Sequence, residues 1–72
     1  MKMNENEKIL KKLGETVRKA REKARLTQVE VAASSGLSVG YYARIERGEV
    51  NPSYEKLQKV MKALKVKSLG LL

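Results

Sequence analysis

The sequence predicts an all-α fold, a compact bundle of four to five helices, on three observations. Apolar residues recur every three or four positions along most of the chain, which is the period of a helix with one buried face. Ser, Thr and Gly stand where these periodic segments begin and end. No segment shows the alternation of apolar and polar residues that indicates a half-buried strand. With 72 residues, the chain is expected to be a single domain over residues 1–72.

Helix one is predicted from about Glu7 to Ala24, after a flexible segment at residues 1–6. Its apolar positions fall on one face: Leu10, Leu13, Val17, Ala20 and Ala24. Arg25 follows the helix at a place where a left-handed backbone costs a non-glycine residue about 1–2 kcal/mol. We therefore expect helix one to end without a left-handed residue there.

A helix-turn-helix unit is predicted over residues 28–47. Helices two and three occupy residues 28–35 and 39–47, and the turn between them contains Gly36. Helix two needs a small residue where helix three crosses it, and Ala32 provides one. The residues that cap these two helices or pack them on the core are Thr27, Glu30, Val31, Leu37, Ser38, Tyr42, Ile45 and Gly48. Helix three has its apolar positions on one face, at Val39, Tyr42 and Ile45.

A fourth helix is predicted to begin at Ser53, after a loop that contains Pro52. Its expected buried side consists of Tyr54, Leu57, Val60, Met61 and Leu64. Its lysines recur every three residues, which spreads them around the helix, so we expect a solvated surface: Lys56, Lys59, Lys62 and Lys65. Residues 66–72 form an apolar tail that either contacts a second copy of the chain or folds back on the bundle, through Leu69, Leu71 and Leu72.

Composition excludes several classes of function and favours one class of partner. The chain has no Cys and no His, which excludes thiolate and histidine metal sites and histidine-based catalysis. We therefore predict a protein that is not an enzyme and has no metal, cofactor or small-molecule ligand. A net charge of +8 attracts polyanions, nucleic acid first and an anionic membrane surface second, although solubility alone explains part of it. The sequence has no signal-peptide or membrane-spanning segment, so we expect a cytoplasmic protein.

Several stretches between Leu13 and Val66 match those of a known family, in the same order. They are Leu13-Gly14-Glu15-Thr16-Val17-Arg18, Leu26-Thr27-Gln28, Val31-Ala32, Gly36-Leu37-Ser38, Tyr41, Ile45-Glu46-Arg47-Gly48 and Asn51-Pro52-Ser53. With these, the chain resembles the Cro/repressor-type helix-turn-helix domains, the xenobiotic-response-element or lambda-repressor-like family. The resemblance implies a sequence-specific transcriptional regulator that binds operator DNA, usually as a homodimer.

The resemblance also implies roles for single residues. Helix three would lie in the major groove, with base contacts from Val39, Gly40, Ala43 and Arg44. Arg44 is the one strong direct reader in this set, because its fork fits guanine O6 and N7. Phosphate contacts are implied for Thr27, Gln28, Tyr41, Arg47 and Asn51. A structural ion pair between Arg21 and Glu46 is implied to tie helix one to helix three.

Two further functions remain open at this point. Val39 and Gly40 supply no polar side chain where the family often has one, so a protein-interaction adaptor of the same fold, with weak or non-specific DNA binding, is the alternative. Binding to a membrane surface is disfavoured, because no helix combines a large apolar face with a concentrated basic one. Among regulators, a prophage repressor, a restriction–modification controller and an antitoxin fit the sequence equally.

Overall fold

Four α-helices and no strand form the part of the chain that this computed structural model describes, residues 2–66. They are α1 (Glu5–Lys23), α2 (Gln28–Ser35), α3 (Val39–Glu46) and α4 (Tyr54–Leu64). The predicted all-α class is confirmed, and the predicted contacts of Leu69, Leu71 and Leu72 lie outside the described residues. Within residues 2–66, no helix combines the length and the apolar character needed to cross a membrane.

The core draws side chains from all four helices. α2 packs against both α3 and α4, and α1 packs against α3. The buried apolar residues are Leu13, Val17, Val31, Ala32, Tyr42, Ile45, Val60 and Leu64. Most of the apolar positions that helical spacing predicts therefore face one another, with the small side chain of Ala32 buried in α2, as expected.

Helix α1 begins at Glu5, two residues before the predicted start. Its cap is Asn4, whose side-chain oxygen accepts a hydrogen bond from the N–H of Glu7 at 2.8 Å. The carboxylate of Glu7 accepts from the N–H of Asn4 at 3.4 Å, which completes a capping box. The sequence analysis missed the Asn-x-x-Glu spacing of this box, so it assigned Glu5 and Asn6 to a flexible segment.

All four helices end with a residue in the left-handed region. Gly36 and Gly48 have φ values of 68° and 73°, and Arg25 and Lys65 have values of 59° and 58°. The expectation that α1 ends without a left-handed residue is therefore wrong. The N–H of Leu26 bonds back to the carbonyl five residues earlier at 3.2 Å, and this closing bond holds Arg25 in its unfavourable conformation.

Three side chains assigned to packed faces lie outside the core. Tyr54 is 74% exposed, and its hydroxyl accepts a hydrogen bond from the amide of Gln58. Pro52, just before α4, is buried instead. Val39 is 45% exposed, and Ala24 is exposed as the residue that caps α1. All three are at or beside helix ends, where helical spacing no longer determines which side faces the core.

Replacing Arg25 by glycine should stabilise the protein. Glycine adopts a φ of 59° without the steric cost of a side chain, so we expect the free energy of unfolding in urea to rise by about 1 kcal/mol. Arg25→Ala is the matched control, because it removes the charge and keeps the strained Cβ. Equal stabilities of the two variants would show that the left-handed conformation carries no cost here.

Replacing Gly14 and Gly40 by alanine should have opposite effects. A Cβ on Gly14 would lie 2.5 Å from the carbonyl oxygen of Ile45 and closer still to that of Glu46, so we expect a loss of about 2 kcal/mol or more. A Cβ on Gly40 meets no atom within 4 Å, and alanine favours the helix by about 0.5–1 kcal/mol. Circular dichroism during urea unfolding measures both changes. Similar shifts in the two variants would contradict the close approach of α1 and α3.

Candidate nucleic-acid interface

Two capped helices, α2 and α3, form the helix-turn-helix unit. The hydroxyl of Thr27 accepts from the N–H of Glu30 at 3.1 Å, and the Glu30 carboxylate accepts from the N–H of Thr27 at 2.8 Å. Ser38 caps α3 by accepting from the N–H of Tyr41 at 3.1 Å. Both predicted caps are confirmed, so each helix starts at a fixed residue and the turn between them sets the direction of α3.

The four residues expected to contact bases share one side of α3. Val39, Gly40, Ala43 and Arg44 are spaced by one turn, which places them on neighbouring positions of the helix surface. Val39 and Gly40 are exposed, Ala43 is half-buried, and the side chain of Arg44 is 57% exposed. This side of α3 therefore presents a single long cationic side chain between small ones, and its contact with bases stays a prediction.

The inner side of α3 is tied to α1 and α2 through Glu46. Arg21 donates from Nε to Glu46 Oε2 at 2.6 Å and from Nη2 to Oε1 at 3.2 Å. Gln28 donates from its side-chain amide to Glu46 Oε1 at 3.0 Å. Arg21 also donates to the carbonyl of Leu26 at 3.0 Å. The ion pair implied by the resemblance is present, and its side chains are only 15% and 4% exposed.

Both members of this ion pair are charged at neutral pH. Burial alone raises the pKa of Glu46, but hydrogen bonds from Arg21 and Gln28 and the charge of Arg21 outweigh it, so the pKa lies below its usual 4.5. The hydrogen bond to Glu46 is the main cause that raises the pKa of Arg21. The three residues form a charged, hydrogen-bonded unit, named here the Arg21–Glu46–Gln28 cluster.

Gln28 has a structural role that the sequence analysis missed. We expected the side chain of Gln28 to contact phosphate. This side chain is half-buried, and its amide nitrogen donates a hydrogen bond to Glu46. A side-chain amide has two N–H donors, so a phosphate contact needs the second of them. Only the approach of α2 to α3 in three dimensions reveals this first partner, because the two residues are 18 positions apart.

The other expected phosphate contacts lie at both ends of the helix-turn-helix unit. Thr27 and Asn51 are exposed, and Tyr41 is half-buried. Lys56 of α4 holds its ammonium 4.7 Å from the centre of the Tyr41 ring, which is the geometry of a cation–π contact. Lys56 is exposed, as expected for a lysine on a solvated surface, and this contact places its charge beside α3.

Arg47 is exposed and pairs with a residue that the sequence analysis did not single out. Its Nε and Nη2 donate to the two carboxylate oxygens of Glu49 at 2.8 and 3.1 Å. Lys11 of α1 donates to the carbonyl of Arg47 at 2.6 Å. The only sequence signal for the ion pair is the separation of two positions between Arg47 and Glu49. Helical spacing does not detect such a pair, because it spans the left-handed Gly48.

Tyr42 fills the centre of the core directly behind this interface. Its side chain is fully buried, as we expected for a residue that packs the unit on the core. The hydroxyl has no hydrogen-bond partner among residues 2–66, and burial raises its pKa. Tyr42 therefore supports α3 from the inside and presents nothing to a ligand.

Comparison with known proteins identifies the family. A sequence model of the helix-turn-helix family matches residues 17–71. The chain belongs to this XRE-type helix-turn-helix family. The matched region contains the helix-turn-helix unit of α2 and α3 and the whole Arg21–Glu46–Gln28 cluster.

The chain is similar to a phage repressor and to two bacterial regulators. The immunity repressor protein of Bacillus phage phi105 is 40% identical over 52 residues, which are 72% of this chain and 36% of that protein. The chain thus spans about a third of that repressor's length. The restriction-modification controller protein C.AhdI from Aeromonas hydrophila has a TM-score of 0.82 at 33% identity, over 88% of this chain and 96% of that chain. The clp gene regulator ClgR from C. glutamicum has a TM-score of 0.83 at 32% identity, over 88% and 81%.

Glu46→Ala should destabilise the protein strongly. The substitution leaves the guanidinium of Arg21 without its buried partner, so we expect the free energy of unfolding to fall by about 3 kcal/mol. Glu15→Ala is the control, since it breaks the exposed Glu15–Lys19 pair at 2.9 Å and should barely move the thermal midpoint. An unchanged midpoint in Glu46→Ala would remove the structural role of the cluster.

The same pair makes stability depend on pH. Because folding lowers the pKa of Glu46, its contribution is complete above the unfolded value of 4.5 and is lost as pH falls through the folded value. Unfolding measured from pH 7 to pH 3 should show a smaller acid loss in Glu46→Gln than in the unmodified protein. Parallel curves for the two proteins would contradict the lowered pKa.

Proposed function

We propose that the protein is a sequence-specific regulator of transcription, of the repressor kind, which inserts α3 into the major groove of operator DNA as a homodimer. It acts by occupying its site and performs no catalytic step. One observation carries the proposal, which is the division of α3 into two sides. Glu46 holds one side to α1 and α2, while Arg44, about 200° around the helix, lies on the open side.

The open side of α3 supports a defined but sparse reading of bases. Arg44 pairs its fork with O6 and N7 of a guanine, the strongest contact available to the four positions. Val39 packs its methyl groups against the methyl group of a thymine. Gly40 and Ala43 have no long side chain, so they allow α3 to enter deeply into the groove.

Phosphate contacts at both ends of the unit support the docking. Thr27 and Gln28 stand at the start of α2, where N–H groups and the helix dipole favour an anion. Tyr41, Arg47 and Asn51 supply further donors near α3. These contacts fix the position of the protein on the duplex and provide most of its salt-sensitive affinity, to which the net charge of +8 contributes.

The named roles of the relatives support regulation and repression. An immunity repressor, a restriction-modification controller and a clp gene regulator are all regulators by name, and the present chain shares their fold or sequence. Two-fold binding follows the general geometry of such proteins, in which two half-sites lie about 34–36 Å apart. The apolar tail at residues 66–72 is the surface we propose for the contact between the two copies.

The alternative function is an adaptor of the same fold that binds proteins rather than a chosen DNA sequence. The observation that favours it is the absence of a polar side chain at Val39 and Gly40. Selection from a random duplex library separates the two functions. A regulator enriches a palindrome with half-sites one helical turn apart, and its affinity for that sequence falls log-linearly with salt. An adaptor enriches no sequence.

Arg44 and Arg47 offer a matched test of the docking. Their side chains are 57% and 56% exposed and carry the same charge, but only Arg44 lies on the side of α3 that we assign to bases. Arg44→Ala should weaken the selected sequence by about tenfold to a hundredfold and relax the preference at one base pair. Arg47→Ala should weaken all sequences alike and lower the salt slope by about one.

Quantitative binding to the selected duplex and to single-base variants of it measures both effects. The opposite assignment, with base preference lost in Arg47→Ala and kept in Arg44→Ala, would show that another side of α3 enters the groove. Thermal unfolding of both variants serves as the control for folding, since each removes an exposed side chain.

A further inference from the structure

The end of α3 fixes one acidic residue beside two arginines. The N–H of Glu49 bonds to the carbonyl of Arg44 at 2.9 Å, and the N–H of Gly48 bonds to the carbonyl of Ile45 at 3.0 Å. Gly48 lies in the left-handed region with φ 73°, so the backbone closes the helix in a defined way. Glu49 therefore starts from a fixed point at the end of the helix that we assign to the major groove.

The carboxylate of Glu49 is hydrogen-bonded to Arg47 and lies farther from Arg44. It accepts two hydrogen bonds from Nε and Nη2 of Arg47, at 2.8 and 3.1 Å. Its distance to Nε of Arg44 is 3.9 Å, which is a charge contact without a hydrogen bond. Two parallel bonds to one edge of a guanidinium are also how arginine binds a phosphate. Glu49 thus occupies one of the two edges through which Arg47 can bind a DNA phosphate.

Glu49 is an anion at neutral pH, as an exposed carboxylate is, and its neighbours lower its pKa further. The hydrogen bond from Arg47 is the largest cause that lowers its pKa, and the charges of Arg47, Arg44 and Lys11 add to it. The same bond raises the pKa of Arg47. A negative charge therefore stands among the cations that the proposed function assigns to DNA.

We propose that Glu49 is a specificity-determining residue, which raises the ratio of specific to non-specific DNA binding. This inference rests on the proposed function. In the free protein, Glu49 holds the Nε edge of Arg47, so that a phosphate of any duplex has to displace the carboxylate or bind the other edge close to this second anion. This cost applies to every sequence, because every duplex carries the same phosphates.

Only the specific complex recovers part of that cost. When the fork of Arg44 pairs with a guanine, the nearby carboxylate of Glu49 supports the guanidinium from the side of Nε. On an unrelated sequence, Arg44 has no such base to meet, so Glu49 contributes only repulsion. A single carboxylate thereby penalises unrelated duplexes more than the selected one.

Glu49→Gln tests the proposal through two affinities measured side by side. The variant removes the charge and keeps the size of the side chain. We expect affinity for a random duplex to rise roughly threefold to fivefold, with the slope of log affinity against log salt steeper by about one. Affinity for the library-selected duplex should rise less, so the ratio of specific to non-specific binding should fall.

Glu55→Gln is the matched control for this change. Glu55 is also exposed and also paired, with 3.4 Å between its carboxylate and the ammonium of Lys59, but it lies on α4. We expect Glu55→Gln to leave the ratio unchanged. In an Arg47→Ala background, Glu49→Gln should raise binding to the random duplex by a smaller factor than in the unmodified protein, because only the general repulsion between Glu49 and the phosphates is left.

The outcomes separate this inference from the function on which it rests. If Glu49→Gln matches Glu55→Gln, or raises both affinities by the same factor, while the unmodified protein prefers its selected duplex, the role of Glu49 is wrong and the regulator stands. If the unmodified protein prefers no sequence, both proposals are wrong. Thermal unfolding of each variant verifies that the proteins compared are equally folded.

Discussion

The structure depends on one carboxylate, that of Glu46, which three helices use at once. Its oxygens accept from Arg21 of α1 and from Gln28 of α2, and the residue itself belongs to α3. A buried charge is costly unless each of its oxygens is paired, so only one relative position of the three helices satisfies it. Gly14 allows that position, because its lack of a side chain lets α1 reach the last carbonyl groups of α3. Apolar packing alone tolerates small rotations of α3, whereas these directional bonds do not.

The cluster around Glu46 holds the inner side of α3. On the outer side, affinity for any duplex and specificity for one sequence depend on different side chains. The charge of +8 and the donors around α2 and α3 supply attraction to any duplex. In the proposed complex, the reading of bases rests on few side chains, chiefly Arg44. In such a protein, limiting the attraction to unrelated DNA matters as much as the contacts to bases. A carboxylate beside the arginines, such as that of Glu49, limits this attraction directly. Glu46 thus holds α3 in the folded protein, whereas Glu49, just beyond the end of α3, is proposed to act on the encounter with DNA.

The sequence predicted those features that short stretches determine. The caps at Thr27 and Ser38 and the left-handed turn at Gly36 each depend on residues within four positions, and all are present. Arg25 was mispredicted because its steric cost was weighed without the backbone bond that offsets it. The contacts of Gln28 with Glu46 and of Lys56 with Tyr41 join different helices, and no periodic pattern encodes them. The ion pair of Arg21 and Glu46 is just as distant in sequence and was found only through the family resemblance.

The outer side of α3 presents few side chains, which limits how much of a DNA sequence one copy of the protein can read. A helix of eight residues is about 12 Å long and so spans roughly three to four base pairs. One base pair read without ambiguity supplies two bits, whereas choosing one site among about 10⁶–10⁹ competitors takes about 20–30 bits. Arg44 and Val39 fall far short of that number in a single copy. In the proposed dimer, repetition of the half-site doubles the number of bits that one copy reads, and the stiffness and groove width of the DNA between the halves add to it. The proposed function therefore requires that base pairs outside the reach of these side chains also contribute to the choice of site.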